Sequence, residues 1–209
     1  MAEVIDALML KTPPRESYSD AADTVLPIEQ RTDVTIDELE RMSLPYPAEL
    51  YNGKVIYKMA NFVHGMLQTK IAKLVDLYLD EHPIGYVMTE TNFRLWPDRP
   101  SESRIPDVAF VRKERSPQNW YRFPVGAPDL AIEVISPDEK SEEMMDKVDE
   151  YLEQGVQMVW LVFPKKREIW VCTTSTTYHR VRDVLTAPEL LPGFELPVSK
   201  IFEGIPVPD

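Results

Sequence analysis

Three side chains in the middle of the chain have the residue types that serve phosphodiester hydrolysis: Asp107, Glu133 and Lys147. Asp107 stands at the start of a short apolar segment, residues 105–111, and Glu133 stands inside another, residues 129–135. Hard divalent cations such as Mg²⁺ prefer oxygen ligands, commonly one or two carboxylates with water and substrate phosphate. A neighbouring lysine can orient the attacking water and balance the developing charge. The three residues together therefore indicate metal-assisted hydrolysis.

Asp107 and Glu133 each have an alternative explanation. An aspartate at the start of a strand can simply cap the preceding turn. A glutamate in a buried strand costs several kcal/mol unless it is paired or bound to a metal, but no such cost arises on an edge strand where the side chain faces solvent. Ala131, Glu133 and Ile135 share one face of the strand by alternation, so both interpretations of Glu133 stay open.

Lys147 lies in residues 141–154, which are predicted to form a helix. The apolar residues of this segment recur three or four positions apart and form one face: Met144, Val148, Tyr151 and Leu152. Lys147 borders that face, and the helix directly follows the strand that contains Glu133, so its inner edge can return over the end of that strand. The alternative is a lysine whose stem lies along the core while its ammonium stays in water.

The elements that would position these residues predict an α/β domain. Thr35 is predicted to cap a short helix over residues 35–42, with Glu38 completing a capping box. The pair Asn52-Gly53 predicts the turn of a hairpin over residues 49–57. The remaining predicted elements are a helix over residues 61–81, strands over residues 86–95, 105–111, 129–135, 157–163 and 168–172, and a helix over residues 141–154 with Ser141 as N-cap and Gly155 after its end. The strand–helix–strand order over residues 129–163 predicts a crossover between parallel strands.

Length and composition bound the function classes. The chain has 209 residues, and we expect residues 35–209 to form one domain and residues 1–34 to be a flexible or loosely docked arm. A single cysteine, Cys172, excludes a disulfide framework and a cysteine-rich zinc site. No run reaches the ~18 apolar residues of a membrane span, and the N-terminus lacks the pattern of a signal peptide, so the expected location is the cytoplasm.

The charge balance bears on nucleic-acid binding. The chain has 23 basic and 35 acidic residues, a net charge of −12, which argues against a general nucleic-acid coat but does not exclude a nuclease with a local basic rim. Residues 112–123 combine basic side chains with Trp120, Tyr121 and Phe123. That segment could stack on nucleic acid, or it could be a loop that packs its aromatic rings on the core.

Several runs of this sequence together resemble the Uma-two family of restriction-like endonucleases, within the PD-(D/E)XK nuclease superfamily. These runs are residues 105–111, residues 128–137, Lys147 with Glu150-Tyr151, residues 155–162, residues 191–197 and Ile201-Phe202. The resemblance covers about residues 35–205 and implies a restriction-endonuclease-like core, a mixed β-sheet flanked by helices with an N-terminal helix and hairpin.

The resemblance also implies roles for individual residues. Asp107 matches the superfamily's motif aspartate and Glu133 matches its (D/E). Ile135 stands where the simple pattern has lysine, so the lysine role passes to Lys147 on the following helix, with Lys140 as the alternative closer in sequence.

Further positions match the family less directly. Glu90 is an expected additional metal ligand, together with the carbonyl of Val134. Glu49, His64 and Tyr151 are accessory candidates. For His64 the alternative is a histidine at a helix N-terminus that is hydrogen-bonded only locally.

These observations predict a Mg²⁺- or Mn²⁺-dependent endonuclease that acts on nucleic acid, expected to be DNA, and the resemblance implies a product with a 5′-phosphate. The alternative is a catalytically inactive nuclease-fold protein that acts as a binding or interaction module. A weaker third possibility is an unrelated structural protein with an exposed Glu133. A homodimer is compatible with exposed edge strands.

Overall fold

A six-stranded mixed sheet is the centre of the structure, a computed structural model that describes residues 26–136, 139–174 and 176–206. Its strands are β3 (Gly85–Thr89), β4 (Val108–Arg112), β5 (Leu130–Val134), β6 (Met158–Phe163), β7 (Glu168–Thr174) and β8 (Thr177–Val181), side by side in that order. β5 and β6 are parallel and every other neighbouring pair is antiparallel. The predicted α/β fold class with a mixed sheet is therefore confirmed.

The helix α3 (Ser141–Glu153) connects the parallel strands β5 and β6, as the strand–helix–strand order predicts. Every residue of β5 is buried, because this strand lies between β4 and β6 and has helices or loops over both faces. Glu133 is therefore in the interior of the sheet. The alternative in which it faces solvent on an edge strand is wrong.

Each face of the sheet has its own core. On one face the helix α2 (Phe62–Glu81) packs through Leu67, Ile71 and Val75 against β4 to β6, next to the C-terminal elements β9 (Val184–Ala187), β10 (Leu191–Pro197) and α4 (Val198–Phe202). On the other face α3 packs through Met144, Val148 and Tyr151. The two periodicities of helix and strand, ~3.6 and 2 residues, bring these apolar rows together.

A smaller unit precedes the sheet. It consists of α1 (Ile36–Leu39) and the hairpin of β1 (Ala48–Tyr51) and β2 (Lys54–Tyr57), which enclose their own apolar cluster. Thr35 caps α1 by accepting a hydrogen bond from the Glu38 N–H at 3.3 Å, as predicted. At Gly53 the backbone has φ +72°, and a Cβ atom would lie 2.3 Å from the Thr32 carbonyl oxygen, so this turn requires glycine.

The expected N-terminal arm falls mostly outside the described residues, which begin at residue 26. Within the described part, residues 28–30 form a 3₁₀ turn and Val34 is fully buried in the apolar cluster of α1 and the hairpin. The division of the chain at residue 34 remains a prediction.

Several element boundaries differ from the predictions. β3 ends at Thr89 rather than continuing to residue 95, because Glu90 has a left-handed backbone with φ +51°. Ser141 is the first residue of α3, and Lys140 occupies the N-cap position without a side-chain hydrogen bond. α1 ends at Leu39, and the elements after β7 were not predicted. In the described part of the chain, none of the helices is both long and apolar enough to cross a membrane.

Candidate active site

The antiparallel pairing of β4 with β5 places Asp107 beside Glu133. Val108 pairs with Ile132, so the residue before β4 stands across from the next residue of β5. The Asp107 side chain is buried, and its Oδ2 accepts a hydrogen bond from the Val134 N–H at 2.7 Å. Asp107 therefore does more than cap a turn, since its carboxylate is fixed against the end of the central strand.

Glu133 is held by two side chains of α3. Its Oε1 accepts a hydrogen bond from the Tyr151 hydroxyl at 2.7 Å, and its Oε2 lies 3.3 Å from the Lys147 Nζ. Lys147 and Tyr151 are four residues apart and so lie on the same side of the helix. The structure therefore places Lys147 at Glu133, as the crossover argument predicts, and it places Lys140 in a surface ion pair with Glu143 instead.

Two basic side chains approach the carboxylates, Lys58 from the segment between β2 and α2 and His64 from the first turn of α2. The Lys58 Nζ lies 3.4 Å from Asp107 Oδ1 and 3.6 Å from Glu133 Oε2. The His64 Nε2 lies 3.1 Å from Asp107 Oδ2. His64 is thus in the site, contrary to the interpretation in which it is hydrogen-bonded only locally.

Glu90 reaches the same site through Gln68. The Gln68 amide donates to Glu90 Oε1 at 2.6 Å and to the Asp107 carbonyl oxygen at 2.8 Å. The left-handed turn that ends β3 is what brings Glu90 to this position. The other Glu90 oxygen, Oε2, is buried without a hydrogen-bond partner in the described structure, and so is Asp107 Oδ1.

These groups line one cavity of about 160 Å³ at the end of β5. Its polar lining includes Lys58, His64, Glu90, Asp107, Glu133 and Lys147. Glu139 also lines it, so four carboxylates and two ammonium groups converge on a space of a few water molecules.

The two central carboxylates have different protonation behaviour. Burial acts to raise the pKa of Asp107, but the hydrogen bond from His64 and the charge of Lys58 outweigh it and lower the pKa to about 2. For Glu133, burial prevails over the charges of Lys147 and Lys58, and its pKa is raised above the usual value. Burial opposes protonation of His64, yet its contact with Asp107 raises the pKa of the imidazole.

The oxygen atoms of the cavity fit a hard divalent cation whose remaining coordination positions are filled by water and substrate. Among the described residues, no three His, Cys, Asp or Glu side chains are close enough to hold a metal by themselves. Asp107 and Glu133 nevertheless present two adjacent carboxylates, and Asp107 Oδ1 and Glu90 Oε2 are buried acceptors without a hydrogen bond. Mg²⁺ is typically bound by one or two carboxylates, with water and phosphate oxygens in the other positions. The residues present fit that mode of binding.

Other candidates lie away from the cavity. Glu49 is buried on β1, where its Oε2 accepts a hydrogen bond from the Ile105 N–H at 3.0 Å. It lines an adjoining groove rather than the carboxylate cavity. Residues 112–123 follow the far end of β4 from Asp107; Tyr121 and Trp120 are exposed, and only Phe123 of the three packs on an apolar cluster. The core-packing interpretation of that segment is therefore correct for Phe123 alone.

Sequence reasoning missed Lys58 and Gln68. Gln68 carries a usable signal, since it lies four residues after His64 on the same helix and is buried among the apolar residues of α2. Lys58 carries none, because it follows a two-stranded hairpin whose position over the sheet is set by tertiary packing. Only the assembled fold shows that this lysine faces the carboxylates.

Comparison with known proteins bears on the family and the fold of the chain. The Uma2 family model, described as "Putative restriction endonuclease", matches residues 36–199. Among solved structures, the chain is similar to a "putative nuclease belonging to DUF820" from Anabaena variabilis, with a TM-score of 0.68 and 21% sequence identity over 81% of this chain and 98% of that chain. At that identity the similarity shows a shared fold. No match was found among curated proteins.

Proposed function

The chain belongs to the Uma2 family of restriction-endonuclease-like proteins, and we propose that it is an endonuclease that hydrolyses phosphodiester bonds in DNA with Mg²⁺ or Mn²⁺. The observation that carries the proposal is the convergence of Asp107, Glu133 and Lys147 in one cavity. Burying two adjacent carboxylates is costly without a compensating cation, and a catalytic role gives that cost a function.

Each group has a task in this proposal. Asp107 and Glu133 would hold the metal with the Val134 carbonyl, and Glu90, which is not close enough to complete a three-carboxylate site, would bind it through a water molecule. The bound ion would supply Lewis-acid activation of the phosphate and of a water molecule. Lys147, at 3.3 Å from Glu133, orients the attacking water and stabilises negative charge that develops on the phosphate.

Tyr151 and His64 act by positioning. The hydrogen bond of the Tyr151 hydroxyl fixes Glu133 in one orientation. His64 fixes Asp107, and its raised pKa favours the charged imidazolium near the phosphate. The family resemblance implies that the product carries a 5′-phosphate.

Plasmid nicking with Mn²⁺ tests the proposal. Asp107→Asn and Glu133→Gln should each abolish nicking, because each removes one charged metal ligand while keeping the side-chain shape. Matched controls are Asp98→Asn and Glu153→Gln, which change exposed residues outside the cavity and should leave nicking intact. Nicking that persists in both site variants would exclude this site as the catalytic centre.

A second candidate function is a binding or interaction module that does not cleave. The observation in its favour is a groove of about 540 Å³ that adjoins the cavity and in which five carboxylates outnumber two basic residues, Arg104 and Lys147. Its carboxylates are Glu49, Glu139, Glu143, Asp146 and Glu150. Calorimetric titration with Mn²⁺ separates the two functions, because a nuclease must bind the ion at millimolar concentration or below, whereas the module need not bind it.

A further inference from the structure

Lys58 lies where a cation bound by both central carboxylates would lie. Its ammonium nitrogen is 3.4 Å from Asp107 Oδ1 and 3.6 Å from Glu133 Oε2. Asp107 Oδ1 has no hydrogen bond in the described structure, so its interaction with Lys58 is that of an ion pair. No other cationic side chain in the described residues contacts both of these carboxylates.

The surroundings of Lys58 hold its backbone in place and leave part of its side chain open to solvent. The Lys58 N–H donates to the Pro47 carbonyl at 2.8 Å, which fixes the base of the side chain to the hairpin. The residues that follow are open to solvent, and Met59 is 78% exposed. About 19% of the Lys58 side chain is itself exposed. A lysine carries its charge on a flexible four-carbon stem, so its ammonium can move within the cavity while the backbone stays in place.

We propose that Lys58 is a built-in counter-ion that occupies the metal position, that a divalent ion must displace it, and that the displaced ammonium then binds the substrate phosphate. The inference rests on the proposed function, since it concerns how the same carboxylates take up their metal. A divalent ion and the Lys58 ammonium cannot both occupy the position between Asp107 and Glu133 without strong repulsion, whereas Lys147 contacts Glu133 alone. The metal and the ammonium therefore compete for the same oxygens.

The proposal couples metal binding to substrate binding. The ammonium that leaves the carboxylates remains within reach of the cavity, where a phosphate provides new negative charge for it. A phosphate ligand thus lowers the cost of displacing Lys58, and the metal and the phosphate should each strengthen the binding of the other by the same factor. Metal alone should bind weakly.

Calorimetric titration of Mn²⁺ into the wild type and Lys58→Met tests the competition. Methionine keeps the approximate shape of the side chain but removes the charge, so we expect Mn²⁺ to bind Lys58→Met at least about tenfold more tightly. Thymidine 5′-monophosphate should strengthen Mn²⁺ binding to the wild type and have little effect on Lys58→Met. Lys58→Arg retains the charge and should behave like the wild type. Lys54→Met, an exposed lysine of β2, is the matched control.

A second measurement uses the wild type alone and does not depend on folding of the variant. Acetylation of lysines, read by mass spectrometry, should increase at Lys58 when Mn²⁺ is added, because the ammonium leaves its two carboxylates. Acetylation of Lys54 should not change. Constant acetylation of Lys58 at saturating Mn²⁺ would contradict displacement.

The outcomes separate this inference from the proposed function. Wild type that binds Mn²⁺, with Lys58→Met binding it equally or more weakly, overturns the competition and leaves the metal site intact. Absence of Mn²⁺ binding in the wild type and in Lys58→Met overturns both. Tighter binding by Lys58→Met, with loss of the nucleotide effect, supports the inference.

Discussion

Removing the hydroxyl of Tyr151 should destabilise the protein through Glu133. Tyr151 is fully buried, and its hydroxyl donates to Glu133 Oε1 at 2.7 Å. Tyr151→Phe deletes only this oxygen, so it leaves the packing of the ring against β5 and β6 nearly unchanged. A hydrogen bond to a charged group contributes roughly 1.5–3 kcal/mol. We therefore expect the free energy of unfolding to fall by about 2 kcal/mol at a pH that ionises Glu133.

The stability that Tyr151→Phe loses should increase as the pH rises. Burial raises the pKa of Glu133 above its ordinary value of 4.5, and the hydrogen bond from Tyr151 partly offsets that rise. A carboxyl group with a raised folded-state pKa contributes stability below its unfolded pKa and loses it as the pH rises through the folded pKa. Without the hydroxyl the folded pKa rises further, so the variant loses more stability at high pH. The difference from wild type should be larger at pH 8 than at pH 5.

Urea unfolding of both proteins at pH 5 and pH 8, in buffer that contains a chelator, measures this difference. Tyr121→Phe is the control, because Tyr121 is 97% exposed and its hydroxyl should not affect stability. Equal losses for Tyr151→Phe at the two pH values would refute the assignment of the effect to the Glu133 carboxylate. A loss below about 0.5 kcal/mol at pH 8 would refute the hydrogen bond itself.

Three further predictions concern other parts of the structure. Gly53→Ala should lower the free energy of unfolding by more than about 1 kcal/mol, because the added Cβ would lie 2.3 Å from the Thr32 carbonyl oxygen. Gly193→Ala should lower it less, because Gly193 has a similar φ but open space around it. Urea unfolding of the two variants measures the difference. Burial raises the pKa of the Cys172 thiol to about 11. A thiol reagent at pH 8 should therefore react slowly with the native protein and rapidly with the protein in denaturant. Rapid reaction with the native protein would contradict this burial. Gln68→Leu removes both amide hydrogen bonds that link Glu90 to Asp107, and we expect Mn²⁺ affinity in calorimetry to fall about tenfold.

The sequence predicts the middle of the sheet well because β4, β5 and β6 are nearly continuous apolar runs. Buried strands such as β5 and β6 have no other stable location, and the crossover between them follows from their order. The strands after β7 were harder to predict, since β8 is exposed at nearly every position and offers no hydrophobic pattern. The end of β3 depends on the left-handed conformation of Glu90, which non-glycine residues adopt rarely and which no local pattern indicates.

The residues of the candidate site also divide into some that the sequence predicts and one that it does not. Asp107, Glu133 and Lys147 were predictable because charged residues inside or beside apolar runs need a physical reason, and the pairing of β4 with β5 supplies the proximity. Lys58 was not predictable from the sequence, because its position depends on where the N-terminal hairpin packs.

The local charge of the cavity, rather than the charge of the chain, determines whether it can attract a phosphate. Glu90, Asp107, Glu133 and Glu139 contribute a formal −4 and Lys58 and Lys147 contribute +2, so the cavity carries −2 before His64 is counted. A divalent cation would change this sum to 0, and protonated His64 to +1. A protein with a net charge of −12 would then repel nucleic acid at a distance and bind phosphate at the metal-loaded site. Cleavage should therefore be slow at low ionic strength and faster when added salt screens the long-range repulsion.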